Sequence, residues 1–266
     1  MQLANSVGQA FSLRTGFIRS SAFLLAVTLS TATDNSSPRV PVLLELFTSE
    51  GCSSCPPADR LLQLLDQSQP AADANLIVLS EHVDYWDRLG WKDPFSSPQF
   101  TARQQDYADR YSREGPYTPQ LVVDGRFALV GSDSREANAA IQKAAREPKV
   151  AIVLSNAARD GKQVKAHIGV PPAPNAKKRS ALLYLAIADN RAESHVARGE
   201  NAGRSLAHVA VVRVLKEAGT IDLRSASSKE VVLTVPAGAG ASGLRLIAFL
   251  EDPGSGHILG AAVQKL

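Results

Sequence analysis

The sequence predicts an α/β domain followed by an all-β antiparallel sandwich domain. Three observations carry that expectation. Two apolar runs of strand length flank a helical stretch in the first half. A Thr-Pro pair then leads into two short strands joined by Asp124-Gly125. After Pro148 the character changes to seven short β-like runs separated by turn signals.

Val40–Phe47 is almost wholly apolar, which suits a strand buried on both faces of a parallel sheet. Pro56 to Gln67 carries Ala58, Leu61, Leu62 and Leu65 at helical spacing, and proline is favoured in a first turn. Asn75–Ser80 reads as the second strand of a βαβ unit, whose crossover is right-handed by rule. Pro98–Arg113 is expected to be helical. Gln120–Val123 and Arg126–Val130 are expected to form a hairpin about Asp124-Gly125. Ser134–Glu147 closes the half as a helix with Ala137, Ile141 and Ala144 inward. The order β-α-β-α-β-β-α is that of a thioredoxin-like domain. Beyond Pro148, the runs 150–154, 164–170, 182–188, 206–215, 231–235, 244–250 and 258–263 suggest the sandwich. The division is therefore residues 1–36 as a signal peptide and N-terminal tail, 37–147 as the α/β thioredoxin-like domain, and 148–266 as the β-sandwich domain.

The signal peptide rests on Arg14 and Arg19 ahead of an apolar run, Ala22–Leu29, followed by the small residues Ser30 to Thr33. That run falls short of the ~20 residues a spanning helix needs, so no stable membrane span is expected after cleavage. A periplasmic or secreted location follows. The 266 residues are 44% hydrophobic and 21% charged, enough apolar material for packed cores. The net charge of +3 comes without a dense basic cluster, which excludes nucleic acid as the expected partner.

The chain has two cysteines, and both fall in Cys52-Ser53-Ser54-Cys55. A bridge across so short a loop constrains the unfolded chain very little, so it explains itself poorly as a staple. Chemistry is the better reading. A thiolate, not a thiol, attacks a disulfide, and a strand-to-helix turn offers access and helix-end N–H groups. Cys52 is then the attacking thiol and Cys55 the resolving one. Parallel neighbouring strands end at one edge, so Glu81-His82-Val83-Asp84-Tyr85-Trp86 is expected close by. His82 there stabilises the thiolate or relays a proton, as against merely packing locally, and Glu81 or Asp84 accepts protons. Tyr85 and Trp86 are candidates to line a substrate groove. Thr118-Pro119, leading a strand toward the same edge, is where a cis peptide bond is expected. His195 and His208 match no metal spacing and read as structural or solvated. No cofactor is expected, and no metal.

The run Leu44-Glu45-Leu46-Phe47-Thr48-Ser49-Glu50-Gly51-Cys52-Ser53-Ser54-Cys55-Pro56-Pro57-Ala58-Asp59 resembles the signature of the secreted family known as domain of unknown function 1223. His82–Trp86 and Arg198-Gly199-Glu200-Asn201-Ala202-Gly203-Arg204 resemble two further blocks of it. The resemblance implies a thioredoxin-like domain and export, and no particular substrate. Two residues depart from thioredoxin itself. Gly51 stands where a tryptophan commonly precedes the first cysteine, and Pro56 directly follows the second. The expected function is thiol–disulfide oxidoreduction on exported protein thiols or disulfides, with an unidentified redox partner. Two alternatives stay open. One is a Cu(I)-binding carrier using Cys52, Cys55 and His82, since soft thiolates and imidazole suit that ion. The other is a non-catalytic interaction protein. The polar 198–204 loop either binds a partner, reaches the cysteines, or is ion-paired within itself.

Overall fold

The computed structural model describes residues 39–111 and 115–266. The expected signal peptide and the last residues of the expected 98–113 helix lie outside them. The elements run β1 (Val40–Thr48), α1 (Pro56–Ser68), β2 (Ala74–His82), α2 (Pro98–Tyr111), β3 (Gln120–Val123), β4 (Phe127–Val130) and α3 (Ser134–Ala144). Seven strands follow: β5 (Val153–Asp160), β6 (Gln163–Val170), β7 (Ser180–His195), β8 (Ser205–Asp222), β9 (Ser227–Thr234), β10 (Leu244–Glu251) and β11 (Ile258–Lys265). The fold is mixed α/β, with one large, mainly β sheet and few helices.

Each early element has a local cause. β1 is buried on both faces because it lies between β2, parallel to it, and β3, antiparallel to it, with helices packed over it. Its register with β2 sets Leu44, Leu46 and Thr48 on one face and Leu43, Glu45 and Phe47 on the other. The first set meets α1, which buries Ala58, Leu62 and Leu65. The second set meets α2, where Phe47 packs with Tyr107 and Val122. α3 is capped by Asp133, whose carboxylate accepts the Glu136 N–H at 2.9 Å.

The β3–β4 register pairs Val123 with Phe127, so the loop is Asp124, Gly125 and Arg126, one residue longer than the sequence predicts, and the Arg126 N–H donates to the Val123 carbonyl at 3.0 Å. Asp124 (φ 52°) and Gly125 (φ 59°) are both left-handed, the geometry that matches strand twist. Asp124 does more than turn. Its carboxylate accepts the Leu43 N–H at 3.0 Å and pairs with Lys149, while its carbonyl accepts the Ile258 N–H at 2.9 Å. A Cβ on Gly125 would sit 2.0 Å from the Gly256 carbonyl oxygen, in a conformation L side chains avoid. Gly125→Ala is therefore expected to cost about 1–3 kcal/mol, read as a lower urea midpoint with an unchanged slope.

The strands after Pro148 divide between two sheets. β7, β8, β10 and β11 continue the first sheet, in the order β11-β10-β7-β8-β2-β1-β3-β4, and β5-β6-β9 form a separate antiparallel sheet. The join is narrow: β8 meets β2 in parallel through one registered pair, Ser80 with Val211. β7 and β10 are buried on both faces. Leu183, Leu185, Leu246 and Leu250 pack against Val164, Ile168 and Leu233 of the small sheet, while Ala186, Ile247 and Phe249 turn to the core that the helices share. Seven strands were expected in one antiparallel sandwich. Instead, one sheet runs across the Pro148 boundary. No helix among the described residues is long and apolar enough to cross a membrane.

Candidate functional site

β1 ends at Thr48, and the chain turns through Ser49-Glu50-Gly51 into the Cys-X-X-Cys segment. The Cys52 N–H donates to the Ser49 carbonyl and the Cys55 N–H to the Cys52 carbonyl, each at 3.2 Å. The two sulfurs are joined at 2.18 Å, with Cα atoms 5.4 Å apart. Ser53 and Ser54 are exposed, and the Ser54 hydroxyl lies 3.3 Å from the Cys52 sulfur. Both cysteines are fully buried, at 0% exposure, where an open lip of the sheet had been expected.

Cys55 is the N-cap of α1, and Pro56 and Pro57 occupy its first two positions. Prolines have no N–H, and the next two N–H groups, of Ala58 and Asp59, both donate to the Cys55 carbonyl. The helix end therefore has no free N–H in its first turn to aim at the Cys52 sulfur, contrary to the sequence-based expectation. Gly51 is explained by crowding. A Cβ there would meet Trp86 Cβ at 3.1 Å, which leaves no room for a tryptophan at that position.

Thr118-Pro119 is a cis peptide, as expected. Trp86 links it to the cysteine turn, for its backbone crowds Gly51 while its indole N–H donates to the Thr118 hydroxyl at 2.8 Å. Pro119 is buried against the start of α1. A Cβ placed on Gly131 would lie 3.1 Å from both Pro119 Cβ and Ala58 Cβ. Tyr85 sits beside Trp86 at 6.4 Å and donates its hydroxyl to Gln104; its half-burial pushes the phenol pKa up. Cys52, Cys55, Trp86, Thr118 and Pro119 are thus gathered into one neighbourhood, with Tyr85 at its margin.

His82 lies deeper. It is paired with Thr48 across the β1–β2 ladder, and its Nδ1 stands 2.7 Å from Asp93 Oδ2, while its Nε2 is buried without a hydrogen-bond partner. Burial raises the Asp93 carboxyl, but the His82 ring together with the N–H groups of Glu50 and Phe95 brings it below the usual aspartate range. Glu81 and Asp84, also considered as proton acceptors, are committed elsewhere. Asp84 accepts from the Thr101 hydroxyl, and Glu81 faces the α2 side of the sheet with Glu45 and Arg103.

Four residues not chosen from the sequence complete the site. Glu50 is fully buried: its carboxylate accepts the Trp91 indole N–H at 2.7 Å and the Ser194 hydroxyl, and its Oε1 lies 3.3 Å from His208 Nε2. On the other side of the ring, His208 Nδ1 is 3.7 Å from Asp59 Oδ1, which also accepts the Thr48 hydroxyl at 2.9 Å. Burial opposes a charge on His208, but the Asp59 and Glu50 carboxylates overcome it and push the imidazole up to about 10. Asn201 is the fourth. Fully buried, it donates from Nδ2 to the carbonyls of both Glu50 and Cys52 at 2.9 Å and accepts from Arg204. Next to it, the Glu200 carboxylate accepts the Ser53 N–H at 3.0 Å. The 198–204 loop therefore reaches the cysteines and straps their turn. His195 is exposed, in keeping with a solvated role; His208 is structural in position but charged in character.

No group of three or more His, Cys, Asp or Glu side chains among the described residues gathers at metal-holding distances, and Asp93 already engages the His82 Nδ1.

A mixed α/β fold with a Cys-X-X-Cys bridge at a strand-to-helix turn, set over a buried acid–imidazole cluster, defines the class of protein. The family described as "Protein of unknown function (DUF1223)" matches residues 43–251, and the chain belongs to it. Among solved structures, the chain is similar to protein AGR_C_4864 from Agrobacterium tumefaciens, with 27% identity and a TM-score of 0.65 over 85% of this chain and 95% of that one. It is also similar to HBP35 of Porphyromonas gingivalis, with a TM-score of 0.61 over 87% of this chain and 76% of that one. At 14% identity, the second likeness concerns the fold alone. No curated protein matches the chain.

Proposed function

We propose that this is an exported, periplasmic or secreted thiol–disulfide oxidoreductase-like protein. On this reading residues 37–147 are its thioredoxin-like part and 148–266 its sandwich part. Cys52 is the sulfur exchanged with substrate and Cys55 the resolving one; the substrates are thiols or disulfides of exported proteins, shared with a redox partner. The observation that carries the reading is a bridge of little value as a staple, placed at a strand-to-helix turn that Trp86 ties to Thr118, with the buried titratable groups Glu50 and Asp59 on either side of it in sequence. Trp86 and Tyr85 border the entry, and Thr118 presents its backbone there.

The burial of both sulfurs favours a second reading, an interaction protein whose bridge stays closed. One experiment separates the two. The reduction potential of the bridge and its turnover in an insulin-reduction assay are measured for the wild type, Cys52→Ser and Asn201→Ala. Exchange predicts turnover that Cys52→Ser abolishes, and faster opening in Asn201→Ala, where the two hydrogen bonds that strap the cysteine turn are gone. Turnover no greater than that of Cys52→Ser, together with a bridge equally inert in Asn201→Ala, favours the second reading and sinks the first.

A further inference from the structure

Opening a buried disulfide creates a chemical need that the sulfurs cannot meet themselves. When a substrate thiolate attacks the Cys52 sulfur, a new S–S bond forms and the Cys52–Cys55 bond breaks. Cys55 departs with the electron pair. A thiolate left at 0% exposure is costly unless a proton or a positive charge reaches it. The first turn of α1 offers no free N–H for this purpose, because Pro56 and Pro57 have none and Ala58 and Asp59 donate to a carbonyl.

What the fold provides instead stands one helical turn away. Asp59 follows Cys55 by four positions, so the two side chains lie on the same face of α1, and both are buried. Glu50 precedes Cys52 by two. Between these carboxylates stands His208, whose ring nitrogens are 3.7 and 3.3 Å from their oxygens and make no aligned hydrogen bond. The imidazole thus keeps its proton next to the Asp59 carboxylate, on the helix face that Asp59 shares with Cys55. The other groups that face it are accounted for. From β1, Thr48 is bonded to Asp59; from β2, the His82 ring lies 4.7 Å away and is tied to Asp93; from β7, Ser194 is bonded to Glu50. On β8 itself, Arg213 is paired with Asp189.

We propose that Asp59, His208 and Glu50 are the proton-holding site of the Cys52–Cys55 couple. When the bridge opens, His208 passes its proton through the Asp59 carboxylate to the departing Cys55 sulfur. The proton that a substrate thiol sheds restores His208. A second substrate thiolate then attacks the substrate sulfur of the mixed disulfide, and Cys52 leaves and takes a proton from water. The substrate dithiol loses two electrons and two protons, and the cysteine pair gains both. Closing the bridge runs the same path backwards. Asp59 and His208 are positioning residues in this scheme, acting on the reacting sulfurs through the proton. The inference rests on the exchange reading above.

The test is the rate of bridge reduction by dithiothreitol, divided by thiolate concentration, from pH 6 to 10.5, with circular dichroism confirming that each variant is folded. For the wild type, a normalised rate that is flat and then declines as the pH approaches 10 is expected. In His208→Gln the rate at pH 7 should be about 100-fold lower or less still, within the usual range for a lost general acid, with no such decline. Asp59→Asn, nearly isosteric, removes both the relay and the strongest support of the imidazolium, so its rate at pH 7 should fall as in His208→Gln, and any decline that remains should move to lower pH; it also serves if His208→Gln fails to fold. A merely structural role would leave the profile where it is. If the wild-type bridge resists dithiothreitol altogether, the exchange reading falls and this inference with it. If the wild type is reduced and folded variants share its normalised rate and profile, only the proton-holding site is refuted.

Discussion

Arg103→Met is expected to cost about 3–5 kcal/mol of unfolding free energy, the usual range for a buried charge that loses its partner. Arg103, on α2, sits at the centre of an acidic cluster, with Arg110 at its edge 3.9 Å from Glu251. The Arg103 Nε lies 2.5 Å from Glu45 and 3.9 Å from Glu81, its Nη1 3.1 Å from Glu251, and its Nη2 donates to the Tyr107 hydroxyl at 3.0 Å. Tyr107, Tyr184 and Phe249 surround the guanidinium, each ring centroid 5.2 Å away. Burial pushes Glu81 well above the usual carboxylate range, with Glu45 adding to the effect, and burial also raises Glu251. A carboxyl raised in the folded state binds protons there more tightly than in the unfolded chain. Its stabilisation is full below the unfolded value near 4.3 and is lost as pH rises through the folded value. The variant should therefore be much less stable than wild type at pH 8 and recover part of the loss at pH 5. Urea midpoints at both values check this; equal losses at the two would show that the carboxylates are not the cause.

The second large effect is an alkaline one. His208 is raised to about 10 from an unfolded value near 6.5. A raised base contributes stability that is complete below 6.5 and fades as pH climbs toward 10, with a slope of about 1.4 kcal/mol per unit within that window. The whole contribution is of order 5 kcal/mol. Unfolding free energy of the wild type should fall between pH 7 and 10. His208→Gln should be less stable at pH 6.5, since Asp59 and Glu50 lose their cation, and should show a much flatter alkaline limb. A wild-type curve that is level over this range would refute the assignment of the charge to His208.

Most of the elements were legible in the sequence. Runs such as Asn75–Ser80 and Leu244–Leu250 are mostly apolar because both their faces are largely covered, and each lies within an observed strand, β2 and β10. Asp124-Gly125 and Thr118-Pro119 were read from turn chemistry that acts over two residues. What failed was long-range. Nothing in Ser80 or Val211 announces that these residues pair, since one bridge between strands far apart in sequence leaves no periodic trace. β8 runs to Asp222, past the Leu215 expected as its end, because Glu217 and Thr220 are polar yet still pair with β7. The site divided in the same way. Cys52, Cys55, Trp86, Thr118 and Pro119 come from the first half, where strand order and turn chemistry direct them to one edge of the sheet. His208 and Asn201 come from the second, where a lone histidine and a polar loop carry no spacing signal. Asp59 could have been found, as an acid one helical turn beyond a cysteine.

The single sheet has a practical consequence for dissection. Cutting the chain at Pro148 would strip β8 from β2 and leave that strand with an unpaired flank, an invitation to intermolecular association. The same cut would remove Asn201 and Glu200 from the cysteine turn and would leave Glu45, Glu81 and Arg103 without Glu251 above them. Neither fragment would keep the surroundings that its residues have in the whole chain. Chemistry measured on an isolated N-terminal piece would describe a different molecule.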